Sequence, residues 1–308
     1  MRWSVPLVVS LLLILAVSAR ADEAPPAGDG LIDRALAAFE KGEYETVIEL
    51  TAQVAEDAEE RPRARYLAGE AHLLLRQPEP AEKAFREVLV SRPKAVPAWV
   101  GLGRALDALK KTEEAEEVLT KAVKLDPKSA AAKRALGELL MHQGELGKAR
   151  TLLKAAYKLD PDDALSARAL VEVLLLGSDA GGAERVAKKL EKARPNHPMG
   201  YFLHGLVRER KGKIEDAIDY YETALGFDER FLDAHKNLAI LYHTNNPDYA
   251  DLDRVRKALH HYEEYFGLGG KDPALRDVWR RFQRFVILEL DLEDEEDDDE
   301  EEEEEDEE

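Results

Sequence analysis

Residues 96–129 read VPAWVGLGRALDALKKTEEAEEVLTKAVKLDPKS. The stretch holds two apolar helical stripes and a stop. Trp99, Leu102, Gly103 and Leu106 recur at steps of 3, 1 and 3, which puts them on one face of a helix. Ala115, Leu119 and Ala122 recur at steps of 4 and 3, one face of a second helix. Gly103, Ala115 and Ala122 are small enough to let the two helices approach, and the larger residues fill the gaps that remain. Pro127 lacks an N–H and disfavours helix in the residue before it, so it ends the second helix. Working outward, Pro93, Pro127, Pro161 and Pro195 stand 34 residues apart, three intervals in a row. A fixed period of that length marks a repeat array. Each unit of such an array packs on its neighbours, and the product is an extended surface rather than one deep pocket.

In these residues the chain resembles the tetratricopeptide repeat (TPR) family, whose unit is a 34-residue helix–turn–helix. With Val96 as phase 1, Trp99 falls at phase 4 and Gly103 at phase 8. Ala115, Leu119, Ala122 and Pro127 fall at phases 20, 24, 27 and 32. The same register tiles the chain with starts at 28, 62, 96, 130, 164, 198 and 232. Gly69, Ala81, Phe85 and Pro93 mark the second unit, and Gly137, Ala149, Leu153, Ala156 and Pro161 the fourth. The unit at 164 has Val171 where a small residue is usual, and the unit at 198 has Glu229 in place of proline. The first unit is degenerate, with Val47, Thr51 and Val54 in its second helix. In the seventh, Ala258, Tyr262 and Tyr265 carry the pattern seven residues late, so a longer turn is expected around 244–253. The resemblance implies an all-α fold: a right-handed α-solenoid of about seven TPR units over 28–272.

The ends differ from the array. Arg2, an apolar run from Val5 to Val17 and the sequence Ala19-Arg20-Ala21 form a signal-peptide layout over 1–21, with cleavage between Ala21 and Asp22. The apolar run of 13 residues is short for a span that needs about 20. An uncleaved N-terminal anchor is the alternative. Residues 22–27 are a flexible linker. An exported chain of this kind is expected in the bacterial periplasm, with full secretion as the second possibility. Pro273, Leu275, Val278, Trp279, Phe282, Phe285 and Val286 predict an amphipathic helix over 273–290, with Arg276, Arg280, Arg281 and Arg284 on its polar side. It reads as a cap on the last repeat, or as a helix for a partner or a membrane surface. Residues 291–308 hold 17 acidic side chains, a charge of −17 that leaves −3 of the chain's −20 for everything else. Such a segment cannot bury a core and is expected to be disordered. It either solubilises the chain, folds back onto arginines of its own array, or binds basic partners or divalent cations. The acidic balance argues against nucleic-acid binding.

Motifs for chemistry are missing. The chain has no cysteine, so disulfides, thiolate zinc sites and thiol nucleophiles are excluded. Residues 144–148 (GELGK) and 267–271 (GLGGK) lack the phosphate-loop spacing, no G-x-S-x-G occurs, and the eight histidines form no H-E-x-x-H pair. Catalytic, cofactor and metal residues are therefore not assigned, and a non-enzymatic scaffold is expected. The family resemblance implies where a partner sits. First helices of successive units line a concave groove, and phases 2, 5, 9 and 12 face it. Those phases carry Arg63, Tyr66, Glu70, Val100, Arg104, Arg134, Glu138, Arg168, Glu172, Phe202, Leu206 and Lys236. Arg followed by Glu four residues later is also an ordinary surface pair worth a few tenths of a kcal/mol, so groove contact and intra-helix pair are both open. Phase 9 holds Glu or Arg rather than Asn, so the family's carboxylate-clamp ligand is not implied. The expected partner is a protein or peptide segment.

Overall fold

A large side chain on one helix filling the gap over a glycine on another sets the helix spacing through much of the chain. The computed structural model describes residues 30–245 and 251–286. The signal peptide with Ala21 and Asp22, the linker, residues 246–250 of the predicted long turn and the acidic tail lie outside them. Among the described residues there is no strand. The chain divides into two compact units, Met1–Ser178 and Asp179–Glu308. The boundary falls inside the repeat that starts at 164, where the sequence suggested one continuous array.

The first unit contains α1 (Leu31–Lys41), α2 (Tyr44–Ala52), α3 (Arg61–Leu74), α4 (Pro78–Ser91), α5 (Val96–Ala108), α6 (Thr112–Leu125), α7 (Ala130–His142), α8 (Leu146–Leu159) and α9 (Ala164–Leu176). Consecutive helices pack as antiparallel hairpins, and first helices also touch one another along the row: α1 on α3, α3 on α5, α5 on α7, α7 on α9. The second unit contains α10 (Ala180–Ala193), α11 (Pro198–Arg210), α12 (Ile214–Phe227), α13 (Leu232–Thr244) and α14 (Leu252–Gly267). Residues 273–286 form α15.

A Cβ on Gly69 would lie 2.8 Å from the Phe85 ring, and one on Gly137 2.7 Å from Leu153 Cγ. A Cβ on Gly103 would overlap Leu119, and one on Gly205 would overlap Tyr221. In the repeat at 164 the sequence has Val171 at phase 8 and Ala187 at phase 24, and each is buried. In the last hairpin Ala258, Tyr262 and Tyr265 are buried on α14, the residues that carry the delayed pattern. Helix α15 covers this hairpin. Phe282 and Val286 are buried, and the Phe282 ring stacks on His243 with centroids 4.5 Å apart.

Two further 34-residue rhythms appear in the backbone. Gly42, Arg76, Lys110, Gly144, Ser178 and Gly212 all have positive φ, between 57° and 79°. Each follows a first helix. At five of them the next N–H reaches back five residues, as in Glu145 N to Leu140 O at 2.8 Å, the bond pattern of a Schellman turn. Three of the six are not glycine, so they carry left-handed backbone strain. Lys110→Gly is expected to raise stability by about 0.5–1 kcal/mol, and Gly144→Ala at the same phase to lower it by about 1 kcal/mol. No heavy atom lies within 4 Å of a Cβ at Gly144, so the loss would be a backbone effect. Equal and same-signed shifts of denaturation midpoint in the two variants would contradict this account.

The second rhythm is a latch. Trp99 Nε1 donates to the Pro93 carbonyl at 2.9 Å, and Tyr201 Oη to the Pro195 carbonyl at 2.9 Å. Lys133 Nζ donates to the Pro127 carbonyl, and His235 Nε2 to the Glu229 carbonyl at 2.9 Å. In each case phase 4 of one repeat closes on phase 32 of the repeat before. That carbonyl has no helical partner once the helix has stopped, so the latch supplies one.

Candidate functional site

The first helices of the first unit bring most of the sequence-selected residues into one row. Tyr66 lies on α3, hydrogen-bonded to Glu70 and edge-on to Phe85 at 5.8 Å. Burial, then the Glu70 charge, pushes its hydroxyl well above the usual tyrosine range. Glu70 is 8% exposed and accepts from Arg104 Nη1 on α5 at 3.2 Å. The Glu70 charge, with Glu138 adding to it, holds the Arg104 guanidinium above its ordinary range. Glu138 on α7 accepts from Arg134 Nη1 at 3.1 Å. Arg134 Nε in turn faces Asp163 Oδ2 at 3.8 Å. Asp163 caps α9, accepting from the N–H groups of Leu165 and Ser166 at 3.2 and 3.0 Å and from the Ser166 hydroxyl at 2.6 Å. Arg168 Nε donates to Glu172 at 2.8 Å on the same helix.

The sequence offered either groove contacts or pairs within one helix. Both kinds of bond are present. Arg134–Glu138 and Arg168–Glu172 are i,i+4 pairs, whereas Glu70–Arg104 joins the same phase of two successive repeats. Phase 9 alternates Glu70, Arg104, Glu138 in sequence. Alternating signs at one phase let neighbouring repeats attract, a pattern legible in the sequence itself. Asp163 was not selected, although an Asp before an apolar helix start is a capping signal.

Arg63 is the exception in the row. It is half-buried on α3, its Nε is shielded from solvent, and it has no ion pair or hydrogen bond among the described residues. Two selected residues need correction. Val100 and Phe202 are core residues rather than lining residues. Val100 is 8% exposed, and Phe202 is 2% exposed, packed on Tyr221 and Phe231 with centroids 5.4 and 5.1 Å away. The family phases place a residue by its angle on the helix, and these apolar side chains fold down into the hairpin seam. Leu206 is half-buried on α11. Lys236 on α13 donates to Asp272 Oδ2 at 3.0 Å, at the start of α15. His204 sits where a core Leu is usual and is buried, with Nε2 3.0 Å from Glu191 Oε2 and its ring stacked on Tyr220. Among the described residues no helix is long and apolar enough to cross a membrane.

The tetratricopeptide repeat family profile matches residues 32–96, 66–129, 100–164 and 168–231. Those matches cover well over half of the chain, and the chain belongs to the tetratricopeptide repeat family. It is an all-α, solenoid-type scaffold for protein–protein interaction, with protein partners. No curated protein sequence matches it. Among solved structures, a tetratricopeptide repeat protein from Parabacteroides merdae superposes with a TM-score of 0.63 at 12% identity, over 83% of this chain and 98% of that one. A chain of the APC/C hetero-tetramer Cut9-Hcn1 superposes with a TM-score of 0.57 at 18% identity, over 87% of this chain. This protein spans half the length of that chain. At these identities the likeness is one of fold.

Proposed function

We propose that the protein is a non-enzymatic scaffold of the bacterial envelope, working in the periplasm, and that it holds an extended or helical segment of a partner protein along the first helices of its first unit. The observation that carries this reading is the row of α3, α5, α7 and α9, side by side, with Tyr66, Glu70, Arg104, Glu138, Arg134 and Asp163 fixed along it. Pre-organised polar side chains on rigid helices bind a segment at low ordering cost. The periplasmic setting rests on the N-terminal layout of Arg2, Val5–Val17 and Ala19-Arg20-Ala21. The reading includes no nucleic-acid partner and no cofactor.

Charge reversal of Arg104 or Arg134 would break ion pairs that join the repeats, so a loss of binding there would be ambiguous. Arg63 has no such partner among the described residues, and it supplies the clean test. In an envelope fraction, a photo-crosslinker at Tyr66 should capture one defined protein, and Arg63→Glu should cut that capture about tenfold, roughly 1.4 kcal/mol of binding, at unchanged thermal stability. Equal capture by the Arg63→Glu variant, or equal capture from a crosslinker at exposed Glu117 on α6, would overturn the inner-face reading.

A further inference from the structure

Helix α15 carries a surface that the repeat array does not use. Arg276, Arg280, Arg281 and Arg284 are all exposed on it. Arg276 lies over the Phe266 ring at 4.8 Å, and Arg281 Nε donates to the Asp277 backbone carbonyl at 3.2 Å. None of the four has a carboxylate partner among the described residues. Elsewhere some cations are paired with acids and others, such as Arg63, are not. Arg65, Arg86, Arg104, Arg134, Arg168, Arg208, Lys211, Lys236 and Arg254 each meet an acid. On α15 four exposed arginines with no carboxylate partner among the described residues stand together, in a chain with a net charge of −20.

We infer that this arginine face is the docking surface for the chain's own acidic segment, residues 291–308, which closes on it as a salt-sensitive clasp. Charge complementarity selects this occupant. The segment holds 17 carboxylates in 18 residues and begins seven positions after Arg284. Distance permits it. Arg276 to Arg284 spans about 12 Å along a helix. Four residues, 287–290, separate the described helix from the segment, and at about 3.5 Å per extended residue they give about 14 Å of slack, enough to turn back. A tether this short holds the segment at an effective concentration on the order of millimolar. Single exposed pairs are weak, but the planar guanidinium matches a carboxylate in two bonds, and four in a row act together. The base of the helix is itself anchored, by the Lys236–Asp272 pair and the Phe282–His243 stack. A basic partner segment would therefore compete with the arginines for the tail, and an acidic one would compete with the tail for the arginines.

The absence of cysteine makes the test direct. A spin label on Glu302→Cys in the full chain should broaden the amide signals of α15 around Arg280–Arg284 at about 0.01 M salt, where the Debye length is about 30 Å. The broadening should vanish at about 1 M salt, where it is about 3 Å. It should also vanish at low salt in the Arg280→Gln/Arg281→Gln/Arg284→Gln variant, whose exposed sites leave the helix intact. Broadening that survives high salt, that is absent at low salt, or that maps to the arginines of the first unit overturns the clasp. So does a chain without tail contact that sediments with phosphatidylglycerol vesicles through the same three arginines, which would assign the surface to anionic lipid.

Discussion

Replacing Phe85 with alanine is expected to destabilise the first unit by about 3–5 kcal/mol. The ring is fully buried on α4, between Gly69 on α3 and Gly101 on α5. It therefore fills the seam within its own hairpin and the seam to the next repeat at once. Removing it empties both, and helices held by neighbours on two sides can only partly collapse. The converse substitution tests the same geometry. Gly101→Ala places a Cβ against the Phe85 ring, closer than such atoms approach, and overpacking there is expected to cost about 1–3 kcal/mol. In the Phe85→Ala background the sign should reverse. The new methyl then enters vacated space, and alanine gains about 1 kcal/mol over glycine in a helix interior. A double-mutant cycle by urea denaturation measures this coupling. A loss under about 1.5 kcal/mol for Phe85→Ala, or the same sign for Gly101→Ala in both backgrounds, would show that the ring does not set the spacing.

This pairing also marks how far the sequence could be read. Gly69, Gly103, Gly137 and Gly205, each opposite a Phe, Leu or Tyr sixteen residues on, announce the hairpin to anyone who finds the period, because close helix approach demands a small residue at one fixed phase. The left-handed turn was half visible. Gly42, Gly144 and Gly212 betray it, whereas Arg76, Lys110 and Ser178 conceal the same backbone, since tertiary packing holds them there against their preference. The latch was hidden more thoroughly. Trp99, Lys133, Tyr201 and His235 share no chemistry except a donor at the end of a long side chain. At the candidate site the helix angle was readable but the depth was not. Val100 and Phe202 share their phase with Tyr66 and Arg134, and at that angle the apolar pair is buried while the polar pair is half-buried.

Acidification from pH 7.5 to pH 5 is expected to loosen α13 and α14 by about 2 kcal/mol or more while leaving the first unit largely intact. The buried histidines all lie in the second unit. His235 Nε2 must donate to the Glu229 carbonyl, which leaves Nδ1 as an acceptor, and His261 Nδ1 donates to it at 3.0 Å. The groups facing His261 offer a proton no counter-charge. His235, His260 and Lys257 surround it, and the Tyr242 ring stacks on it at 5.9 Å while that tyrosine's hydroxyl is bound to Glu222. Burial first, then the neighbouring His235, His260 and Lys257, pulls the His261 imidazole down to about 3. Burial also lowers His197, His204 and His243. Each folded value is below the ordinary 6.5, so the unfolded chain binds the proton first. The stabilisation is complete above about pH 6.5 and drains away as pH falls toward the folded values, at about 1.4 kcal/mol per pH unit for His261. Glu184 and Asp272 are held below 4.5 and 3.8 by their lysine partners, Lys211 and Lys236, so their loss begins only under pH 5 and does not confuse the interval. Amide exchange, corrected for its intrinsic pH dependence, should show protection falling in α13 and α14 but not in α5 or α7. His261→Gln keeps a donor to His235 without a titrating group, and it should remove about 2 kcal/mol of the pH dependence. Unchanged protection at pH 5, or an equal fall in both units, would mean that these histidines find a proton as readily in the folded protein as in water.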